Sequence, residues 1–356
     1  MPDSAAILAA LSSVQDPDLR QDIVSLGFIK DVVISGGSVS FTLELTTPDC
    51  PLKDQLRTEA EKAVGAVPGV SAVKVNVTFR VRKFQAPSEL LPGVRNVIVV
   101  ASGKGGVGKS TVAVNLALAF AKSGAKTGLV DLDVYGPSVP GMMGLQGQPA
   151  EEDGKIVPVV AHEVKVMSMA FFIPQGEAAV WRGPMLHSVV QQFLGAVVWG
   201  ELDYLIADLP PGTGDVQLSL CHLIKPAGAV IVSTPQDAAL SVARKAITMF
   251  EKLDTPILGV IENMSGFVCP QCGHREEIFG SGGARAAAEK AGLKFLGEIP
   301  IDTFLRESSD RGTPVVVSAA DSSSAKAFFG IAKNLAALIS VRNLCMPLSA
   351  AAKGAK

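Results

Sequence analysis

The residues from 103 to 111, Gly-Lys-Gly-Gly-Val-Gly-Lys-Ser-Thr, have the types and the spacing of a loop that binds nucleotide phosphates. Glycines let successive backbone N–H groups point into one concavity, and a following helix adds the positive end of its dipole. In such a loop Lys109 reaches the β- and γ-phosphates, and the Ser110 hydroxyl contacts Mg²⁺. We therefore predict that the nucleotide is held by Gly103, Lys104, Gly105, Gly106, Val107, Gly108, Lys109, Ser110 and Thr111.

Three acidic positions are predicted to lie beside this loop, because ligands of parallel α/β sheets bind beyond the carboxyl ends of the strands. Asp133 follows the segment 127–131, Asp208 ends the apolar segment 204–208, and Asp215 comes shortly after it. Mg²⁺ prefers hard oxygen ligands, so Asp208 is the expected partner of Ser110 at the metal. Asp133 is predicted to orient the attacking water.

A second group of chemical interest is the cysteine pair Cys269 and Cys272, in the sequence Cys-Pro-Gln-Cys-Gly-His. Two thiols at this spacing form a turn that presents both sulfurs to one metal. The sequence leaves three interpretations open: half of a tetrahedral metal or cluster site shared by two subunits, a zinc site with other ligands, or a redox pair. A zinc ribbon would need another Cys-x-x-Cys, and the chain has none.

The elements that must position these groups follow a strand–helix alternation. The β-branched segment 96–101 predicts a buried strand before the loop, and segment 112–122 predicts the helix after it. Further strands are predicted at 127–131, 204–208, 229–233, 257–261 and 295–299, with helices at 237–253, 283–291 and 324–339. This order is typical of a doubly wound, mostly parallel sheet in an α/β fold.

Composition shifts divide the chain into four parts. Residues 1–84 predict a small α/β (α+β) domain with helices at 4–14 and 51–64, a hairpin around Gly36, and a closing strand at 70–79. A proline-containing linker is expected at 85–95, the P-loop domain at 96–342, and a disordered, alanine-rich tail at 343–356.

Charge and composition argue against several partner classes. The net charge of −2 gives no electrostatic reason to expect binding to nucleic acid or to an anionic membrane. The N-terminus lacks the basic and apolar regions of a signal peptide, and the cysteines do not suggest a disulfide scaffold. We therefore expect a cytoplasmic protein with no nucleic-acid or membrane partner.

The second lysine of the loop, Lys104, makes it resemble the deviant Walker A loop of the MinD, ParA and nitrogenase iron protein class of ATPases. Together with Cys269 and Cys272, the motifs resemble the Mrp/ApbC family of iron–sulfur cluster carrier ATPases over nearly the whole chain. The other stretches that carry this resemblance are Asp-Leu-Asp-Val-Tyr-Gly-Pro-Ser from 131, Trp-Arg-Gly-Pro-Met from 181, Asp-Leu-Pro-Pro-Gly-Thr-Gly-Asp from 208, and Glu-Asn-Met-Ser from 262.

The resemblance implies a function and assigns residues to it. It implies a homodimeric ATPase in which Lys104 reaches the nucleotide of the other subunit, as an arginine finger would, so that Lys104, Lys109 and Asp133 serve hydrolysis. It also implies that Asn263 contacts adenine and that Cys269 and Cys272 hold a bridging [4Fe–4S] cluster. The cofactors would be ATP, Mg²⁺ and the cluster, and the partners would be iron–sulfur apoproteins and assembly scaffolds.

The N-terminal unit is similar to a small iron–sulfur assembly domain, through Asp-Pro-Asp-Leu from 16 and Thr-Thr-Pro-Asp-Cys-Pro from 46. Cys50 is either a transient thiolate ligand or an ordinary semi-buried thiol. Two other functions remain open at this point: a MinD- or ParA-like positioning or regulatory ATPase, and a zinc-stapled nucleotide switch.

Overall fold

The computed structural model describes residues 2–48, 50, 52–84, 88–173, 183–269 and 271–345. Packing separates two compact units. The first unit comprises Met1–Arg82 together with the chain from Ala336 onward, and the second comprises Lys83–Leu335.

The first unit packs two helices on a three-stranded sheet. Strands β3 and β4 form the antiparallel hairpin, and β5 joins β4 in parallel. Inward positions of β4 alternate with half-buried ones, which is the pattern of a sheet with one covered face. In chain order the elements are α1 (Ser4–Leu11), the two-residue strands β1 (Gln15–Asp16) and β2 (Gln21–Asp22), β3 (Ile29–Ser35), β4 (Ser38–Leu45), α2 (Lys53–Gly65) and β5 (Ala72–Phe79).

The second unit is built on a nine-stranded sheet within the described residues. Its strands at Thr127–Asp131 and Gly228–Ser233 are buried along their whole length, so they are continuous apolar runs rather than alternating ones. The nine strands are β6 (Val94–Ser102), β7 (Thr127–Asp131), β10 (Val159–Ala161), β11 (Val164–Ser168), β12 (Leu202–Asp208), β13 (Gly228–Ser233), β14 (Ile257–Val268), β15 (Arg275–Glu276) and β16 (Phe295–Ile301). A separate hairpin pairs β8 (Ala150–Glu152) with β9 (Lys155–Val157).

The order across the sheet is β10-β11-β7-β12-β6-β13-β14, with β15 and β16 both pairing with β14. Within this sheet, as far as its strands are described, only the pairing of β10 with β11 and that of β15 with β14 are antiparallel. The helices of this unit are α3 (Lys109–Lys122), α4 (Val139–Met142), α5 (Gly183–Gly195), α6 (Asp215–Leu223), α7 (Asp237–Lys252), α8 (Gly283–Lys290), α9 (Thr303–Asp310), α10 (Val315–Ser318) and the first part of α11 (Ser323–Cys345). The predicted fold class, a doubly wound and mostly parallel α/β sheet preceded by a small α/β domain, is confirmed.

Two elements extend six or more residues beyond their predicted ends. Strand β14 was predicted at 257–261 but continues to Val268, because a bulge lets it resume pairing after Asn263. Helix α11 continues past the predicted end at 339 to Cys345, so residues 343–345 are helical and not part of the predicted disordered tail. The end of this helix packs within the first unit: the Ser340 hydroxyl donates to the Thr46 hydroxyl at 2.6 Å, and the Asn343 side-chain amide donates to the Arg82 carbonyl. The domain boundaries stay a prediction.

One helix among the described residues is long and apolar enough to cross a membrane by length and composition. It is the span Ser323–Leu344 within α11, with a mean hydropathy of 1.2, and half of it is buried inside the protein. A buried core helix meets the same criteria, so this finding is weak evidence for a membrane segment.

Candidate nucleotide site and cysteine pair

The phosphate loop connects β6 to α3, as the sequence predicts. Gly106 and Gly108 have φ angles of +78° and +80°, a backbone conformation that L side chains rarely adopt. Helix α3 begins at Lys109, so the free N–H groups of its first turn face the loop. An open cleft here is lined by Lys104, Lys109, Ser110, Asp133 and Pro211, among others. The chain therefore forms a cradle of backbone N–H groups that suits an anionic ligand.

Lys109 is buried among carboxylates. Its Nζ lies 2.5 Å from Asp208 Oδ1, 3.7 Å from Asp133 Oδ2 and 3.2 Å from the Ser110 hydroxyl. The Lys109 side chain is 6% exposed and that of Asp208 is 0% exposed. The loop lysine thus neutralises the acidic strand ends that the sequence predicted to lie nearby.

Asp131 is a member of this group whose contacts the sequence analysis did not predict. Its carboxylate accepts hydrogen bonds from the Asp133 N–H at 3.1 Å, the Val139 N–H at 3.3 Å and the Ser168 hydroxyl at 2.8 Å. Burial, followed by the nearby Asp208 carboxylate, raises the pKa of Asp131 to about 7. Asp131 therefore anchors both ends of the segment that carries Asp133.

Asp208 fits a role as a metal ligand. Its Oδ2 is buried without a hydrogen-bond partner among the described residues, although the Ser110 hydroxyl and Lys109 are close by. Burial raises the pKa of Asp208, and the Lys109 ammonium and the Ser110 hydroxyl oppose that rise. An unpaired carboxylate oxygen beside a hydroxyl is a donor set that suits Mg²⁺.

The remaining residues predicted at the loop have different environments. Asp133 is mostly buried, and its Oδ1 accepts from the Tyr135 and Gly136 N–H groups at 3.3 Å. The Lys104 side chain is exposed, while its carbonyl accepts from the Ser102 hydroxyl. Asp215 is exposed in the first turn of α6 and does not line the cleft, so it acts there as an acidic residue at a helix N-terminus.

Asn263 lies against the loop from the β14 side. Its Nδ2 donates to the Val107 carbonyl at 2.8 Å, and a Cβ on Gly108 would lie 2.2 Å from the same nitrogen. Next to it, the buried carboxylate of Glu262 accepts hydrogen bonds from the N–H groups of Gly282 and Ala284 at the start of α8. The sequence predicts a helix from 283, but it does not predict that the glutamate of a distant strand accepts hydrogen bonds from the start of this helix.

The cysteine pair lies at the tip of the β14–β15 hairpin. The Cys269 N–H donates to the His274 carbonyl and the Gly273 N–H to the Cys269 carbonyl, both at 2.9 Å, which closes a tight turn. Cys269 is half-buried and Cys272 is exposed. Backbone N–H groups, first that of Cys272, lower the pKa of the Cys269 thiol below its usual range. Both sulfurs are thus accessible, and one is favoured as a thiolate.

Other thiols differ from this pair. Cys221 is buried, its sulfur accepts a hydrogen bond from the Thr255 hydroxyl at 3.4 Å, and burial raises the pKa of its thiol, so it is the less reactive kind of cysteine. Cys50 is half-buried and packs against the core of the first unit. Within the described parts of the chain, no group of three or more His, Cys, Asp or Glu side chains is placed to hold a metal ion.

Some motif residues lie outside the described residues. They are Trp181 and Arg182, Asp49 and Pro51 of the N-terminal stretch, and Pro270 between the two cysteines. In the other N-terminal motif, which begins at Asp16, the Asp16 side chain is buried and its Oδ1 accepts hydrogen bonds from the N–H groups of Asp18 and Leu19.

Comparison with known proteins identifies both units. Residues 93–336 match the family model of the NUBPL iron-transfer P-loop NTPases, and residues 4–77 match that of an iron–sulfur cluster assembly protein. The chain is 53% identical to the iron–sulfur cluster carrier protein of Deinococcus radiodurans, over 95% of this chain and 96% of that one. It is 41% identical to the Escherichia coli protein of the same description, over 94% and 91% of the two chains.

Solved structures agree with these matches. A nucleotide-binding protein of Archaeoglobus fulgidus, in complex with ADP, is 46% identical and has a TM-score of 0.57, covering 63% of this chain and 89% of its own. The Pyrococcus furiosus cell division ATPase MinD, 23% identical with a TM-score of 0.51 over 67% of this chain and 98% of its own, shares the fold. The family resemblance predicted from the motifs is confirmed: the chain belongs to the NUBPL iron-transfer P-loop NTPase family.

Proposed function

We propose that the protein is an iron–sulfur cluster carrier ATPase in which two copies hold one cluster between them and ATP governs its transfer to apoproteins. The carrier function and the NTPase class follow from the family match and from the full-length relatives. The [4Fe–4S] type of the cluster, its position between two subunits, Mg²⁺ and a cytoplasmic location are what this proposal adds to the family match.

The observation that carries the proposal is the thiol pair at the tip of a hairpin, where Cys269 is half-buried and Cys272 is exposed. Cys269 and Cys272 supply two sulfurs, whereas a [4Fe–4S] cluster takes four thiolates. A second copy of the chain would supply the missing two. Val268 and Ile278, which flank the turn in sequence, are 50% and 54% exposed, so apolar surface is available around the thiols for contact between copies.

The nucleotide site has the parts that hydrolysis needs. The Lys109 ammonium would leave Asp208 and pair with the phosphates. Asp133, which lies beside Lys109 in the cleft, would orient the attacking water. Mg²⁺ held by Ser110 and Asp208 would neutralise phosphate charge when bound. Lys104 lines the cleft and its side chain is exposed to solvent. A residue that reaches the nucleotide of a second subunit must be exposed in this way.

Anaerobic reconstitution tests the proposal. The wild-type chain should bind iron and sulfide in equal amounts, with visible absorbance near roughly 400 nm, and should be a dimer when loaded. Replacing both Cys269 and Cys272 by alanine should abolish the binding of iron and sulfide. The matched control is Cys221→Ala, which removes a buried thiol and should leave binding unchanged.

The same preparations separate the alternatives. Zinc without sulfide would identify a zinc-stapled switch, and full iron–sulfur binding by the double-alanine variant would refute the assigned ligands. Four iron atoms per dimer would support the bridging arrangement, whereas four per monomer would contradict it.

A further inference from the structure

Strand β14 connects the nucleotide loop to the cysteine turn. In its middle, Asn263 donates to the Val107 carbonyl of the loop at 2.8 Å. At its end, Phe267 and Val268 pair with β15, and Cys269 follows directly. A movement of the loop would therefore be transmitted to a strand that leads directly into the turn that carries the thiols.

Between these two ends the strand is irregular. Its pairing with β16 shifts between Asn263 and Phe267, and Met264 and Gly266 have φ angles of +60° and +71°. This bulge lies near the loop, because a Cβ on Gly108 would be 3.9 Å from the Met264 side chain. Bulges can re-aim a strand, so the bulge is the place where β14 can change the direction of the hairpin.

A buried carboxylate holds the bulge. Glu262 Oε1 accepts from the Ser265 hydroxyl at 2.7 Å and from the Gly282 N–H at 2.8 Å, and Oε2 accepts from the Ala284 N–H at 2.7 Å. Glu262 is 0% exposed. Hydrogen bonds to a buried carboxylate are among the stronger ones in proteins. The bulge is thus fastened to the loop 280–284, which follows the hairpin in the chain.

The hairpin is also fastened to the bulge from its own side. The Arg275 guanidinium pairs with Glu298 at 3.7 Å, and a Cβ on Gly266 would lie 3.0 Å from Arg275 Nε. The phosphate loop, the bulge and the hairpin therefore form one continuous series of contacts in which Glu262 and Ser265 are the central pair.

We propose that Glu262, acting through Ser265, is a positioning residue that couples nucleotide occupancy of the phosphate loop to the accessibility of the Cys269 and Cys272 thiols. Phosphates entering the loop would move the Val107 carbonyl and with it Asn263. The Glu262–Ser265 hydrogen bond keeps the bulge rigid, so the displacement reaches the hairpin instead of being absorbed. The coupling rests on the proposed function, since it concerns the same two sites.

Alkylation of the metal-free, full-length protein tests the coupling. The rate at which iodoacetamide labels the peptide that carries Cys269 and Cys272 is measured by mass spectrometry, with and without a non-hydrolysable ATP analogue and Mg²⁺. In the wild type the nucleotide should change this rate by about fivefold or more. In Ser265→Ala the change should fall below about twofold, although the analogue binds within about threefold of its wild-type affinity.

Two further variants sharpen the test. Glu262→Gln replaces one acceptor oxygen by an amide and should also abolish the response, but it weakens the cap of α8, so Ser265→Ala is the decisive variant. Glu277→Gln makes the same chemical change at an exposed carboxylate of the same loop, which accepts only from Ser281 in the described contacts, and should keep the full response.

The outcomes are distinct. A wild-type thiol pair that ignores the nucleotide overturns the coupling, and so does a full response in Ser265→Ala or an equal loss in Glu277→Gln. A purely structural role for Ser265 would lower the melting temperature without changing the ratio of the two alkylation rates. Because alkylation needs no cluster, failed reconstitution in the wild type would refute the proposed function without affecting this result.

Discussion

Replacing Lys109 by methionine should destabilise the protein even without nucleotide, because the lysine is the cation paired with buried carboxylates. Its Nζ lies 2.5 Å from Asp208 and 3.7 Å from Asp133. Removing one partner of a buried ion pair typically costs about 3–5 kcal/mol. The loss has an upper bound, since Asp208 can take up a proton instead. At pH 7 this uptake costs about 4.4 kcal/mol, because each unit between pH 7 and the ordinary pKa of 3.8 costs about 1.36 kcal/mol.

Because protonation of Asp208 sets this upper bound, the loss of stability in Lys109→Met depends on pH. In Lys109→Met the pKa of Asp208 in the folded state lies above its unfolded value, because burial raises it and the opposing ammonium is gone. The folded state then binds the extra proton, so stability falls as pH rises from 3.8 to the folded pKa. We expect the variant to lose about 3–4 kcal/mol at pH 7 and about 2 kcal/mol less than that at pH 5.5.

Urea unfolding in EDTA, followed by fluorescence of the buried Trp199, measures this loss. The reference protein and all its variants carry Trp181→Phe, which leaves Trp199 as the single tryptophan. The control is Lys104→Met, an exposed lysine of the same loop, which should change stability by less than about 0.5 kcal/mol. The double variant Lys109→Met/Asp208→Asn should regain most of the loss. An unchanged midpoint for Lys109→Met at pH 7, or a penalty that grows as pH falls, would refute the reasoning.

Three further predictions concern other sites. Gly108→Ala should weaken ATP binding at least about tenfold in a calorimetric titration, because a side chain at φ +80° is strained by about 1–2 kcal/mol and its Cβ would meet Asn263 Nδ2. Asp16→Asn should leave the first unit at least as stable as the wild type at pH 7, since burial raises the pKa of Asp16 and disfavours its charged form. Asp16→Ala should instead lose about 1–2 kcal/mol with the two hydrogen bonds, and hydrogen exchange over residues 4–79 distinguishes the two variants. At pH 7 iodoacetamide should label Cys269 at least about tenfold faster than Cys221, as peptide mass spectrometry can show, because the pKa of the first thiol is lowered and that of the second is raised.

The features that the sequence predicted are local ones. A phosphate loop is recognised because its glycines, Lys109 and Ser110 lie within nine consecutive residues. The parallel sheet is recognised because buried strands are continuous β-branched runs, as in β13. Short edge strands such as β10 and β15 have two or three residues and carry no such run, so they were not predicted.

The features that were missed depend on distant partners. Glu262 reaches its helix cap 20 and 22 residues away, and nothing in its neighbourhood distinguishes it from an exposed glutamate. The Ser168–Asp131 bond spans 37 residues. The end of β14 was missed because Met264, at φ +60°, and Gly266 interrupt the strand pattern locally, while pairing with β16 resumes beyond them.

The pairing of Lys109 with Asp208 has a consequence for how strongly the site holds its nucleotide. The lysine has a buried carboxylate partner, so phosphates must compete with Asp208 for its charge. The free energy of the Lys109–Asp208 pair is lost when phosphates bind to the lysine, which lowers their affinity. The Asp208 carboxylate then needs a new partner, and its Oδ2 has no hydrogen-bond partner among the described residues. A lysine without a carboxylate partner would bind phosphates more tightly but would leave the empty loop with an unpaired buried cation. The observed pairing therefore satisfies the buried cation at the expense of phosphate affinity.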